Sequence, residues 1–250
     1  MLKIIVLLST LLITSCATKV HGLRKTADFT YTNVQAGRLT IAGIVHTGEN
    51  WDYKKQISTA NQFRVELQEK RRDLMVDNAS PLIKKIGRGL YREILREIEE
   101  DGILSEKSLT ILGQNITKRR YLVFARIESD IVENDRTESA VTNAEGNETG
   151  DRSLTTTTRR SMDINFSIYD IRNKYLAWNG IIKKSDRNDL EYTIRKRDGV
   201  DKIIDLVSAF SSKKNSESMN KRYPFPKTPS DRDILAYAFR GFAENLPSKD

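Results

Sequence analysis

One apolar segment and the alternating segment that follows it constrain the fold most. Residues 120–130, RYLVFARIESD, hold an uninterrupted apolar run from Tyr121 to Ala125. Such a run predicts a strand that is covered on both faces, as in a sheet between helices. Further on, SMDINFSIYDI alternates apolar and polar residues, turn-forming residues 170–173 follow, and KYLAWNGIIKK runs back. This pattern predicts an antiparallel hairpin with Trp178 packed inside.

Strand and helix patterns on both sides of these segments complete the fold prediction. RLTIAGIVHT at 38–47 predicts a first buried strand, and residues 73–77 predict a short second one. Apolar residues at helical spacing predict helices at four places: 56–70, the segment SPLIKKIGRGLYREILREIEEDG, 105–115 and 200–210. We therefore predict an α/β fold, a single sandwich domain with a mixed β-sheet flanked by helices, a C-terminal antiparallel hairpin and a terminal helix.

Local signals mark the ends of several helices. Ser80 and Ser230 are candidate N-caps, and Pro247 stops the last helix. The glycines Gly87 and Gly89 predict a weak point between two helical pieces, since each costs about 1 kcal/mol relative to alanine. The Pro-rich segment YPFPKTP precedes the last helix, where we expect it to pack.

Two polar stretches lack the periodicity of regular structure. Residues 133–158 are rich in Thr, Asn, Glu and Gly and hold almost no large apolar residue, so we expect a flexible hairpin excursion. Residues 16–37 are also polar and predict a tether that connects the amino terminus to a folded body at 38–250. A flexible chain of that length spans roughly 25 Å, which keeps the body close to its anchor.

The chain has one cysteine, Cys16, and two isolated histidines, His21 and His46. These residues exclude a disulfide and offer too few ligands for a zinc site. Cys16 follows a short basic start and an apolar segment at 4–13, which is too short to cross a bilayer because a spanning helix needs about 20 residues. This arrangement predicts a secreted protein.

The segment ITSC at 13–16 resembles the bacterial lipoprotein signal, in which lipid is attached to the cysteine sulfur and the leader is removed before it. The resemblance implies a signal peptide over 1–15 and fatty acylation, such as palmitate, at Cys16. Ala17 stands where an aspartate would indicate inner-membrane retention, so the resemblance implies an outer-membrane anchor with the domain in the periplasm. A plain secretory leader with an incidental cysteine is the alternative.

The order of elements between residue 38 and Phe210 resembles a periplasmic domain that several envelope proteins share. They are the curli-secretion lipoprotein, the lipoprotein activators of penicillin-binding proteins, and the Tol-system beta-propeller protein in its amino-terminal domain. The resemblance depends on the YLVFARIESD strand and the DINFSIYDIRNKYLAWNG hairpin. It implies action through protein contacts, and no functional residue is transferred from it.

Motifs for catalysis are absent from the sequence. There is no G-x-S-x-G elbow, H-E-x-x-H pair, phosphate loop or dinucleotide fingerprint. His46 ends the first predicted strand, a position where α/β folds place functional groups, but no nucleophile motif accompanies it. Glu128 and Asp130 could share one strand face, although charges on an exposed strand end account for them as well. We predict no enzymatic activity, no cofactor and no metal.

The net charge of +8 favours weak attraction to anionic lipid, cell-wall carboxylates or an acidic protein, and we predict no nucleic-acid partner. Basic clusters at 70–72, 118–120, 183–184 and 195–197 are interleaved with acids, which is typical of solvated surface. We therefore predict a non-enzymatic outer-membrane lipoprotein that binds an envelope protein of cell-wall synthesis or transport. The alternatives are a subunit of an oligomeric secretion channel and a periplasmic hydrolase.

Overall fold

The computed structural model describes residues 18–195 and 220–249. The strands are β1 Val20–Lys25, β2 Leu39–His46, β3 Val76–Asp77, β4 Tyr121–Thr142, β5 Glu148–Asp170 and β6 Tyr175–Ile194. The helices are α1 Tyr31–Gly37, α2 Tyr53–Lys70, α3 Ser80–Ile86, α4 Arg88–Glu100, α5 Glu106–Asn115 and α6 Asp231–Glu244. None of the helices in these two ranges has the length and apolar character that a membrane crossing requires.

The strands form one mixed six-stranded sheet in the order β1-β6-β5-β4-β2-β3. The strand β2 runs parallel to both β3 and β4, whereas β4, β5, β6 and β1 pair antiparallel in succession. The predicted mixed sheet, its C-terminal β5–β6 hairpin and the terminal helix are confirmed. A helix predicted at 200–210 lies outside the described residues.

Two apolar clusters cover opposite faces of the sheet, which gives the predicted α/β sandwich. Helices α1, α2 and α6 pack on one face around a cluster of aromatic rings. Within it, Phe63 stacks on Phe239 at 4.4 Å, and Phe166 stacks on Phe242 at 4.8 Å between ring centroids. The other face is covered by α3, α4 and α5. Strand β2 is buried along its whole length because both layers cover it, as its continuous apolar sequence predicts.

The helix ends follow local sequence signals with one exception. Gly87 has φ 82°, which favours glycine, and it separates α3 from α4 where the sequence predicts a weak point. Ser230 occupies the N-cap of α6 as predicted. The prediction of Ser80 as an N-cap is wrong, because Ser80 is the first residue of α3 and its amide donates to the Asn78 side chain at 3.0 Å.

The prediction of a tether over 16–37 is wrong for residues 18–37. Strand β1 pairs antiparallel with β6, and α1 follows it. Phe29 and Val34 are almost completely buried in the core. The polar sequence misleads here because β1 is an edge strand whose side chains are partly or fully exposed, so pairing with β6 defines it without any apolar periodicity.

The hairpin predicted at 133–158 is present, but the prediction that it lacks regular structure is wrong, because these residues continue two paired strands. Pairing of β2 with β4 ends at Ile127, and pairing of β1 with β6 ends at Ile182. Beyond these positions β4, β5 and β6 pair only with one another in the described chain. We call this extension the arm and define it as residues 131–142, 148–161 and 185–194. Threonine has high strand propensity, so the threonine-rich sequence of the arm forms strands although few of its residues are large and apolar.

Candidate functional site

Cys16, the predicted lipidation site, lies outside the described residues, and its acylation stays a prediction. The described chain begins close to it, at Thr18, whose hydroxyl donates to Glu244 at 3.3 Å. The Asn245 side chain donates to the Thr18 carbonyl at 3.1 Å. The chain is therefore fixed to the carboxyl end of α6 two residues after the cysteine.

The two histidines lie far apart in the sheet. His21 is on β1 opposite Ile181, and His46 ends β2 on the other side of β4, β5 and β6. His46 is 4% exposed, and its Nδ1 accepts hydrogen bonds from the amides of Gly48 and Glu49 at 3.0 and 2.9 Å. The ring Nε2 lies 3.7 Å from an Asp130 carboxylate oxygen, beyond hydrogen-bond distance. His46 is thus a buried residue held by its own loop.

His46, Glu49 and Asp130 place three potential ligand atoms within 4.8 Å of one another, which raises the question of a metal ion. The lone pair of Nδ1 accepts two amides, so the proton of the neutral ring is on Nε2, the atom that lies near the Asp130 carboxylate. A protonated nitrogen does not ligate a metal. The donor set of this cluster therefore does not fit a metal ion.

Both carboxylates of the cluster already have cationic or N–H partners. Asp130 forms a bidentate pair with Arg160, at 2.8 Å from Nε and 2.5 Å from Nη2. This pairing raises the pKa of the Arg160 guanidinium. Glu49 accepts from the Trp51 indole at 2.9 Å and from the Lys55 ammonium at 3.2 Å, which lowers its pKa. The cluster joins the end of β2 to the base of the arm.

The predicted carboxylate pair of Glu128 and Asp130 does not face one substrate. A bulge in β4 between Ile127 and Ser129 changes the side-chain alternation. Glu128 accepts from Arg126 and Asn165, whereas Asp130 accepts from Arg160. Asn165 and Arg160 are odd and even positions of β5 and point to opposite faces of the sheet. The two carboxylates therefore have separate roles as partners of arginines.

The basic clusters are used largely in ion pairs within the molecule. Arg71 pairs with Asp73 at 2.8 Å and also donates to the carbonyls of Leu246 and Pro247. Of the next cluster, Arg119 pairs with Asp77 and Arg120 with the buried Asp170, at 2.8 and 2.6 Å. Lys183 pairs with Asp163, and Lys184 lies over the ring of Tyr237. Residues 196–197 of the last cluster lie outside the described chain.

One groove of about 510 Å³ concentrates arginines at the surface between α4 and the end of β2. Arg92, Arg96 and Arg126 line it together with Glu99 and Glu100. The carboxylates offset much of the positive charge. Its lining residues include no histidine, cysteine or serine, and the hydroxyl of Thr47, which also lines it, is hydrogen-bonded to the main-chain carbonyls of Ile127 and Glu128.

The most distinctive side-chain arrangement lies on the arm. Residues 223–229, YPFPKTP, cross one face of it, and we call them the strap. Side chains of all three arm strands donate hydrogen bonds to main-chain carbonyl oxygens of the strap. The six bonds are Arg136 to Tyr223 at 3.3 Å, Thr156 and Tyr192 to Pro224 at 3.1 and 2.9 Å, Thr158 to Pro226 at 2.9 Å, Asn188 to Lys227 at 2.7 Å, and Arg160 to Pro229 at 3.4 Å.

The strap buries the middle strand, β5, on the face of the arm that it crosses. Thr156 and Thr158 on this face are 0% and 2% exposed. The Arg136 guanidinium lies 3.8 Å from the centre of the Phe225 ring. The predicted packing role of this Pro-rich segment is therefore confirmed, and its packing surface is the arm.

The arm also exposes large apolar side chains. Ile131 and Val132 on β4 are 52% and 48% exposed, and Leu190 on β6 is 41% exposed. Sequence reasoning missed the arm as a site because it found few apolar residues there. The signals that were available are the threonine run at 155–158 and the three prolines of the strap.

Comparison with known proteins gives no family model and no curated protein that matches this chain. Solved structures do match, at low similarity. A PelC dodecamer from Paraburkholderia phytofirmans has a TM-score of 0.32 and 13% identity, over 66% of this chain and 80% of that chain. The hypothetical protein CT253 from Chlamydia trachomatis has a TM-score of 0.31 and 14% identity, over 60% of this chain and 72% of that chain. At these values nothing about function is transferred.

Proposed function

We propose that this protein is a non-enzymatic outer-membrane lipoprotein that binds an envelope protein in the periplasm through its arm. It acts as an accessory factor in envelope assembly or transport. The observation that carries the proposal is the arm itself. In the arm, β4, β5 and β6 continue beyond the last residues that pair with β2 and β1. Neither apolar cluster of the body includes an arm residue, and within the described chain the outer edges of β4 and β6 in the arm pair with no further strand. Free strand edges are surfaces on which other chains can dock.

The exposed side chains of the arm suit a protein contact. Ile131 and Val132 are adjacent on the outer edge of β4 and point to opposite faces of the arm. Ile131 shares its face with the charged residues Glu133, Asp135 and Arg159, whereas Val132 shares the other face with Leu190. An interface with a small apolar centre and a polar rim has this composition.

The proposed anchor would hold the body at the membrane. Two residues span at most about 7 Å, so a lipid on Cys16 would lie within that reach of Thr18, which is buried against α6. The partner of the arm would accordingly be met close to the membrane surface, which suits a component of the envelope machinery.

Site-specific photo-crosslinking in intact cells tests the proposal. A photoreactive amino acid is placed at Val132 or Leu190 on the arm, and at Met75, 59% exposed on the body, as a matched control. We expect the arm positions to crosslink one envelope protein, identified by mass spectrometry, and the Met75 position to leave it uncaptured. Equal crosslinking from Met75, or none from the arm at native expression, would contradict the proposal.

A further inference from the structure

The strap is stiff and extended by its sequence. Proline fixes φ near −65° and restricts the residue before it to extended backbone. In YPFPKTP, every position except Lys227 is a proline or precedes one. Such a segment favours the polyproline II form, which makes no internal hydrogen bonds and leaves its carbonyls available to a partner.

The arm recognises the strap through features that any extended proline-rich peptide shares. The donors Thr156, Thr158 and Asn188 bind carbonyl oxygens and read no side chain of the strap. The aromatic residues add packing, since the ring of Tyr192 meets that of Tyr223 edge-on at 5.3 Å. Carbonyl recognition by polar side chains beside aromatic rings is the mode by which proteins bind proline-rich peptides.

We propose that this face of the arm is a binding site for proline-rich peptides, which the strap occupies in the free protein and a proline-rich segment of the partner displaces. That the displacing peptide belongs to the partner rests on the proposed function. The site is formed by the two threonines Thr156 and Thr158, with Arg136, Asn188 and Tyr192 around them.

The strap can leave without breaking the sheet. Among the described residues, no backbone-to-backbone hydrogen bond joins residues 223–229 to the arm strands. Its departure exposes hydroxyl and amide donors that a second peptide satisfies with its own carbonyls. The strap competes with any added peptide for this face at an effective concentration in the mM range, because a short segment tethers it within the same chain. A peptide segment therefore displaces the strap most readily when it belongs to a partner that is already bound elsewhere on the arm.

The experiment uses a fluorescent peptide of sequence YPFPKTP and the purified full-length protein. The double variant Pro224→Gly/Pro226→Gly loosens the strap because glycine restores backbone freedom. We expect this variant to bind the peptide at least about tenfold more tightly than the unaltered protein, since its strap competes less. Adding Thr158→Val should weaken binding about tenfold by removing a hydroxyl donor. Adding Thr155→Val, on the opposite face of β5, should leave binding unchanged.

A second measurement covers the case in which the double variant does not fold. Hydrogen exchange of the strap amides in the unaltered protein should accelerate as unlabelled YPFPKTP peptide is added, and a YAFAKTA peptide should have no such effect. A folded, loosened variant that binds no peptide would overturn the proposal. Strap exchange that is insensitive to peptide would overturn it equally.

These outcomes separate the two proposals. If the arm crosslinks an envelope protein but the peptide neither binds nor loosens the strap, the partner uses another surface of the arm and only this inference fails. If the peptide binds through Thr158 while the arm crosslinks nothing in cells, the peptide site stands and the proposed function fails.

Discussion

Asp130 joins three parts of the molecule at the base of the arm. Its side chain is 6% exposed, and its carboxylate pairs with Arg160, whose side chain is 15% exposed and also donates to Pro229 at the end of the strap. His46 lies against the same carboxylate. A buried ion pair adds little net stability, but removing one member leaves an uncompensated charge.

Asp130→Asn should therefore destabilise the protein by about 3 kcal/mol, because Arg160 stays buried without its counter-ion. Guanidinium unfolding gives the free energy of unfolding. The control is Lys70→Gln, which breaks the exposed pair with Glu244 and should cost less than about 1 kcal/mol. Equal losses in the two variants would show that Asp130 is no more than a surface partner.

At the scale of elements, the aromatic cluster holds α6 to the sheet. Phe242 is completely buried and touches three rings, those of Phe63, Phe166 and Trp178, at 5.3, 4.8 and 5.2 Å between centroids. These rings come from α2, β5 and β6. One side chain thus connects a helix at the end of the chain with two strands and a second helix.

Phe242→Ala should cost about 3–5 kcal/mol, since it leaves a cavity among rings that cannot collapse together. Thermal and denaturant unfolding measure the loss, and near-ultraviolet circular dichroism follows the packing of Trp178. Tyr53→Ala, at a 39% exposed aromatic position of α2, serves as the comparison and should cost about 1 kcal/mol or less. If Phe242→Ala lowered the free energy of unfolding by no more than Tyr53→Ala does, α6 would be only loosely attached to the sheet.

The sequence predicts those elements whose apolar pattern, continuous or periodic, reflects the burial of their own side chains. Strand β2, helices α2 and α5, and the β5–β6 hairpin all have this property, and the structure contains each of them. Strand β1 and the arm could not be predicted in the same way, because neighbouring strands and the strap stabilise polar residues there. The contacts of Thr156 and Thr158 with the strap join residues 68 apart and leave no periodic pattern.

At the scale of the whole molecule, the proposed anchor and the arm have separate tasks. Lipid on Cys16 would set where the protein resides, and the arm would set what it meets. The body between them is a sandwich, and in its buried polar cluster His46 Nδ1 accepts from two loop amides while Asp130 pairs with Arg160.

Cys16→Ser should abolish acylation, because the serine hydroxyl cannot take the place of the thiol. Metabolic labelling with an alkyne fatty acid should then give no signal on the protein. The variant should also be absent from the outer-membrane fraction. Ser15→Ala, one residue before the cysteine, retains a small side chain and serves as the control. Labelling that persists without Cys16 would refute lipidation at this residue.

Shortening the arm tests the central claim most directly. Asn134 and Thr158 are cross-strand partners, so residues 135–157 can be replaced by a two-residue Asn-Gly turn that closes the hairpin, and Ile131→Ser, Val132→Ser and Leu190→Ser remove the exposed apolar side chains that remain. The control replaces only the terminal turn, residues 143–147, between the partners Thr142 and Glu148. The measurement is the amount of the arm-crosslinked envelope protein that copurifies with each form from outer membranes. We predict a loss of about tenfold or more for the shortened arm at equal protein level and full recovery for the control, whereas equal recovery from both would contradict the account.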